Sequence, residues 1–259
     1  MSASAQWSDL GPRVISGVAM ALVGMLAVWS GGWFFGALVC LVGGLMTWEV
    51  LRMFGLSSAG GIGVMAAAVL AFSIILPGIF AVPLLLATGF VAAGQGDRDH
   101  PAVFAAVSWI MLGCFALLIL RFDLGFVWVL WLVLVVIASD VSGYFAGRRF
   151  GGPKFWPRVS PKKTWSGTIA GWAGAAIVGM IFAGPTGAGA ALIPVSVLTA
   201  FAGQMGDIGE SALKRHTGVK DSSDLIPGHG GVFDRFDAML GAGVVMLLLW
   251  AAGWVPGMA

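Results

Sequence analysis

The chain has 259 residues, 59% of them hydrophobic and 10% charged, with a mean hydropathy of +0.95. A soluble domain is about 45–50% apolar and about 25% charged, so this chain cannot cover a water-facing surface, which excludes an ordinary soluble enzyme and a disordered protein. A formal net charge of +2 gives no general phosphate-attracting field, so no nucleic-acid partner is expected.

A helix crossing the hydrocarbon core needs about 20 mostly apolar residues. Such runs fall at roughly 14–31, 33–51, 60–77, 79–94, 102–120, 124–141, 166–184, 188–206 and 236–254. The expected fold class is all-α: a polytopic integral membrane protein with about nine transmembrane helices. Twelve Trp, one Tyr and 40 Gly agree, since Trp anchors interfaces and Gly lets helices approach closely. Gly31-Gly32 and Pro77-Gly78 separate the early runs, residues 97–100 precede the fifth, and Arg121 and Asp123 end it. The first 13 residues lack a basic n-region and the first run is followed at once by another, so a retained span is expected rather than a cleaved signal peptide. Cys40 and Cys114 sit in apolar runs, and no disulfide framework is expected. Residues 1–122 read as a scaffold of spans with a candidate dimer surface. Residues 123–259 read as the catalytic region, with polar motifs at 140–165 and 207–237.

Basic loops favour the cytoplasmic side. With the N-terminus and Arg13 inside, nine crossings leave thirteen of the fourteen basic residues inside, and Arg121 outside. The C-terminal end is then expected outside.

Between Asp140 and Asp237 lie ten of the basic residues and seven of the twelve acidic ones. Carboxylates at span ends are costly unless paired, hydrated or ligating. If the eighth span continues as a helix, Asp207, Glu210, Ser211 and Lys214 share a face. Asp234 and Asp237 stand i, i+3 at the head of the ninth. Two such helices could hold a hard cation such as Mg²⁺ through oxygen ligands. Salt bridges among Asp207, Glu210, Lys214, Arg215 and Arg235 account for the same spacing equally well. Between the helices, Gly228, Gly230 and Gly231 around His229 can aim backbone N–H groups at an anion, just before a helix N-terminus. No Walker A pattern occurs. Upstream, in SPKKTWSG (residues 160–167), Thr164 or Ser166 can cap the seventh span, and Lys162 and Lys163 fall where lipid headgroup phosphates lie.

From Ser211 to Asp237 the chain reads SALKRHTGVKDSSDLIPGHGGVFDRFD. It resembles the signature of the phosphatidate cytidylyltransferases, or CDP-diglyceride synthases, at Ser211, Lys214, Arg215, Lys220, Asp221, Pro227, His229, Gly230, Gly231, Asp234, Arg235 and Asp237. Asp140, Tyr144, Gly147 and Arg148 resemble a second family segment, and Ser160, Pro161, Lys163 and Thr164 a third. Ser166 departs from it, where many members carry an acidic or amide residue.

The resemblance implies a membrane enzyme that joins CTP and phosphatidic acid into CDP-diacylglycerol and pyrophosphate, in the plasma membrane of a bacterium. It implies Mg²⁺, with Asp207 and Asp234 as metal carboxylates, and a homodimer. Asp237 and Asp140 are further candidates, Asp140 for a second cation or for orienting a lysine. Because the attacking phosphate is already anionic, catalysis reduces to positioning and charge neutralisation. Lys214 and Arg215 are expected to neutralise CTP or pyrophosphate, the His229–Gly231 turn to cradle phosphate, and Ser211, Lys220 and Arg235 to bind substrate. Ser160, Lys163 and Thr164 are expected to hold a lipid or nucleotide phosphate. The alternatives are a CTP-dependent lipid or polyprenol kinase, and a transporter whose carboxylates mark an ion pathway.

Overall fold

A computed structural model describes residues 10–257 of the chain. The expectations for the first nine residues, the Arg13 side chain and the last two residues lie outside the described residues. Nine α-helices occur among the described residues: α1 Leu10–Ser30, α2 Gly32–Met53, α3 Ala59–Ser73, α4 Gly78–Ala93, α5 His100–Ile119, α6 Phe126–Phe150, α7 Trp165–Phe182, α8 Leu192–Thr217 and α9 Phe233–Ala251. Each apolar run read from the sequence coincides with one helix. The elements Gly32–Met53, His100–Leu124, Phe126–Phe150, Trp165–Phe182 and Gly189–Thr217 are long and apolar enough to cross a membrane. The protein is therefore an all-α, polytopic membrane protein.

The breaks have local causes. Gly31, at φ 57°, separates α1 from α2 in a conformation that a Cβ disfavours. Pro77 stands at the N-cap of α4. The charged break after α5 is a π-helical turn, Leu120–Leu124, closed by Gly125 at φ 93°. Gly151 and Gly152, both at positive φ, end α6.

One element is absent from the sequence reading. Lys154–Trp156 (β1) and Ser160–Thr164 (β2) pair antiparallel as a two-stranded hairpin. The hairpin lies within the charged 140–165 stretch, too short and polar for a periodicity signal.

The chain divides into two compact units. The first combines Met1–Ile110 with His216–Phe236; the second combines Met111–Arg215 with Asp237–Ala259. In the first, α2 and α3 touch backbone to backbone. A Cβ on Gly44 would come within 2.7 Å of the Gly63 carbonyl oxygen. Lipid offers no hydrophobic drive for helix pairing, so such close approach substitutes for it.

In the second unit Gln204 ties three helices together. Its Nε2 donates to Ser139 Oγ on α6 and to the Thr168 carbonyl on α7, both at 3.3 Å, while its Oε1 accepts from Trp172 Nε1 at 3.1 Å. Trp131 Nε1 donates to Ser196 Oγ at 2.9 Å, linking α6 to α8. These buried side chains satisfy one another where water is scarce.

Candidate active site

The second unit carries a cluster of carboxylates. Asp207 and Glu210 lie one turn apart on α8, and Asp237 lies in the first turns of α9. One oxygen from each lies within 4.8 Å of the others. Small residues bring them together. A Cβ on Gly206 would run into the Asp237 carbonyl, and one on Gly203 would sit 3.1 Å from the Ala238 carbonyl. The helices meet at the level of the carboxylates because those positions lack side chains.

Lysines answer the negative charge. Lys163 Nζ, delivered by β2, lies 2.6 Å from Asp207 Oδ2 and donates to the Gln204 carbonyl at 3.0 Å. Lys214 Nζ lies 2.5 Å from Glu210 Oε1, one turn along α8. Glu210 is 2% exposed. Asp140, on α6, lies within electrostatic reach of Asp207 and Lys163. The cluster thus contains both features the spacing allowed: ion pairs, and three converging carboxylates of the hard-oxygen kind that suit a divalent cation.

The hairpin aims Lys163. Thr164 caps α7, accepting the Gly167 N–H at 3.2 Å. Ser166 Oγ donates to the Gly151 carbonyl at 2.5 Å, tying the helix start to the end of α6. Thr164 is buried by this capping role. Ser160 opens β2 opposite Trp156, half-buried. Ser211 is half-buried on α8, and Arg215 is exposed near its end.

The first unit carries the glycine turn. Gly228 and Gly230 hold φ of 74° and 81°, which L side chains rarely adopt. Ile226 N–H donates to the Gly230 carbonyl at 2.8 Å, and His229 N–H to the Ile226 carbonyl at 2.9 Å, closing a tight loop. Asp234 Oδ2 accepts from the Gly231 N–H at 2.7 Å, the Ser222 N–H at 3.0 Å and Ser222 Oγ at 3.1 Å. Arg235 donates through Nε and Nη2 to the His229 carbonyl, at 2.9 and 2.5 Å. The expected phosphate cradle is therefore partly committed: the His229 and Gly231 N–H groups are spent within the turn, and Gly230 pairs with Ile226 in an antiparallel bridge.

Ser16 Oγ on α1 donates to the Pro227 carbonyl at 3.0 Å and lies 2.7 Å from His229 Nδ1. A cavity of about 340 Å³ opens beside the turn, lined by Lys220, Asp221, Asp224, His229, Gly230 and Arg235 among others. Its size lies within the usual range of small-ligand sites.

Asp207 and Asp237 share one cluster with Lys163, whereas Asp234 sits in the glycine-turn network. Three residues absent from the motif reading also contribute. Glu210 completes the cluster, and its place on the Asp207 face was visible in the spacing. Ser222 bonds Asp234, inside a stretch that reads as a polar loop. Glu49 bonds the start of α9; its one sequence signal is that it is the sole charged residue in the 33–51 run.

Residues 11–252 match the cytidylyltransferase family. The chain belongs to that family. A phosphatidate cytidylyltransferase of Brucella abortus (strain 2308) is 34% identical over 263 residues, covering 94% of each chain. One from Bacillus subtilis (strain 168) is 33% identical over 258 residues, covering 90% of this chain and 94% of its own. One from Pseudomonas aeruginosa is 40% identical over 127 residues, or 47% of each chain. The resemblance read from 140–237 thus extends through the early spans. The protein is a membrane nucleotidyltransferase, which sets aside the kinase and transporter readings.

Proposed function

We propose that this cytidylyltransferase moves the cytidylyl group of CTP to phosphatidate, giving CDP-diacylglycerol and pyrophosphate for phospholipid synthesis. The observation that carries the reading is the family signature together with two polar constellations: a carboxylate–lysine cluster in the second unit, and a glycine turn beside a cavity in the first.

A phosphate oxygen of the lipid attacks the α-phosphorus of CTP, and the bond to the pyrophosphate breaks. The nucleophile is anionic at neutral pH, so no strong base is required. The barrier comes from bringing anionic groups together, and positioned positive charge lowers it. Lys220, Arg235 and the Gly228 N–H group bind nucleotide phosphates at the cavity. Lys214 and Arg215 neutralise the leaving pyrophosphate. Lys163 exchanges Asp207 for a substrate phosphate. Asp207, Glu210 and Asp237 would hold Mg²⁺, with Asp140 near a second cation; Asp234 stays a candidate ligand beside its part in the turn. When bound, the metal would screen phosphate charge and polarise the phosphorus–oxygen bonds.

The site is placed on the cytoplasmic face of a bacterial plasma membrane, where CTP is available, with nine crossings and the C-terminus outside. The positive-inside distribution supports this. Homodimerisation rests on the family resemblance and is tested by mass measurement in detergent.

Purified protein with CTP, phosphatidic acid and Mg²⁺ is expected to release one pyrophosphate for each CDP-diacylglycerol formed. Pyrophosphate without CDP-lipid, or CDP with a newly phosphorylated lipid, would reject the reaction.

A further inference from the structure

Glu49 is a fully buried carboxylate, 0% exposed, in the apolar helix α2. A charge in that setting persists only when its oxygens are met by donors. They are. Oε1 accepts the Val232 N–H at 2.9 Å and Ser223 Oγ–H at 2.6 Å. Oε2 accepts the Phe233 N–H at 2.7 Å, with Ser222 Oγ at 3.4 Å. Val232 and Phe233 end the glycine-turn loop and begin α9, where backbone N–H groups have no partner within the helix and the dipole favours negative charge. The backbone presses close: a Cβ on Gly231 would lie 2.7 Å from Glu49 Oε1. Ser222 and Gly231 also bond Asp234. Both carboxylates therefore grip one short segment, from opposite ends of the sequence.

We infer that Glu49 is a positioning residue for cytidylyl transfer. Its carboxylate fixes the start of α9, and the glycine turn leading into it, in the conformation that receives the CTP phosphates. This rests on the proposed reading of the turn as the nucleotide phosphate site. The chemistry of the contacts separates this role from generic packing. Gln has nearly the same shape, but its amide offers one oxygen and one NH₂. In either orientation the NH₂ faces the N–H of Val232 or of Phe233, donor against donor. The turn must shift while the fit of α2 is kept. Asp keeps the charge and loses reach.

The test uses the purified full-length protein, with CTP and phosphatidic acid varied separately. Glu49→Gln is expected to raise KM for CTP by about tenfold or more, as an unmet buried donor would, and to leave KM for phosphatidic acid within about twofold. Glu49→Asp should recover part of the CTP affinity. Ser223→Ala, which leaves both backbone bonds in place, should change KM for CTP by less than about threefold, since a single neutral hydrogen bond is worth little net. A folded Glu49→Gln protein with unchanged KM for CTP and only a lower melting temperature would overturn the inference. If Glu49→Gln does not fold, an unchanged KM for CTP in Glu49→Asp overturns it instead. A rise confined to the phosphatidic acid KM would support positioning while rejecting the turn as the CTP site.

Discussion

The two units use carboxylates in opposite ways. In the second, Asp207, Glu210 and Asp237 face one another, and their charge is met by Lys163 and Lys214. In the first, Glu49 and Asp234 face backbone N–H groups and serine hydroxyls. Carboxylates crowded together need a cation, so that arrangement suits binding and exchange of charge. Carboxylates surrounded by fixed dipoles are already satisfied, so that arrangement suits holding a backbone shape. Residue type alone does not separate these roles; the partners do.

The largest expected effect probes the first kind. Asp207→Asn should lower kcat by about a thousandfold, on the scale of losing charge stabilisation at a reacting phosphate, with little change in melting temperature. Near wild-type turnover would remove Asp207 from the metal set. Asp234→Asn is also expected to lose turnover, but it should cost about 1–3 kcal/mol of stability, because Gly231 and Ser222 lose a charged acceptor. Equal melting temperatures for the two Asn variants would erase the contrast between the two kinds of carboxylate. Lys163→Met should slow turnover by about ten- to a hundredfold, the effect of one well-placed positive group, and the loss should appear mainly in kcat/KM. Gly206→Ala separates geometry from charge. Its Cβ meets the Asp237 carbonyl, so α8 and α9 must part, at about 1–3 kcal/mol as for other overpacked contacts. Its Mg²⁺ dependence should move to higher concentration, which a titration of activity against Mg²⁺ reads directly. The smallest effect belongs to Thr164→Ala. Losing the cap of α7 should cost about 1 kcal/mol, with Thr164→Ser restoring most of it; a loss of activity in both would give the hydroxyl a substrate role beyond capping.

Much of this was legible in the chain. All nine apolar runs became helices, and the five that are long and apolar enough to cross a membrane have one way to satisfy their backbone in lipid. The Asp207–Glu210–Lys214 face was legible because helical spacing is fixed. The hairpin was not, since Lys154–Trp156 and Ser160–Thr164 are held by pairing to each other rather than by an apolar pattern. Glu49 was visible only as an oddity, a lone charge in an apolar run.

The sequence by itself therefore determined the membrane class, the helices and the family, because these depend on hydropathy, local period and a dense polar motif. Only the tertiary structure decided which carboxylates face one another and which face backbone amides. Those partnerships join α2 to residues almost two hundred positions away, and bring α8 against α9 through Gly206. Such contacts depend on which helices pack together, which is a property of the fold and of no local stretch of chain.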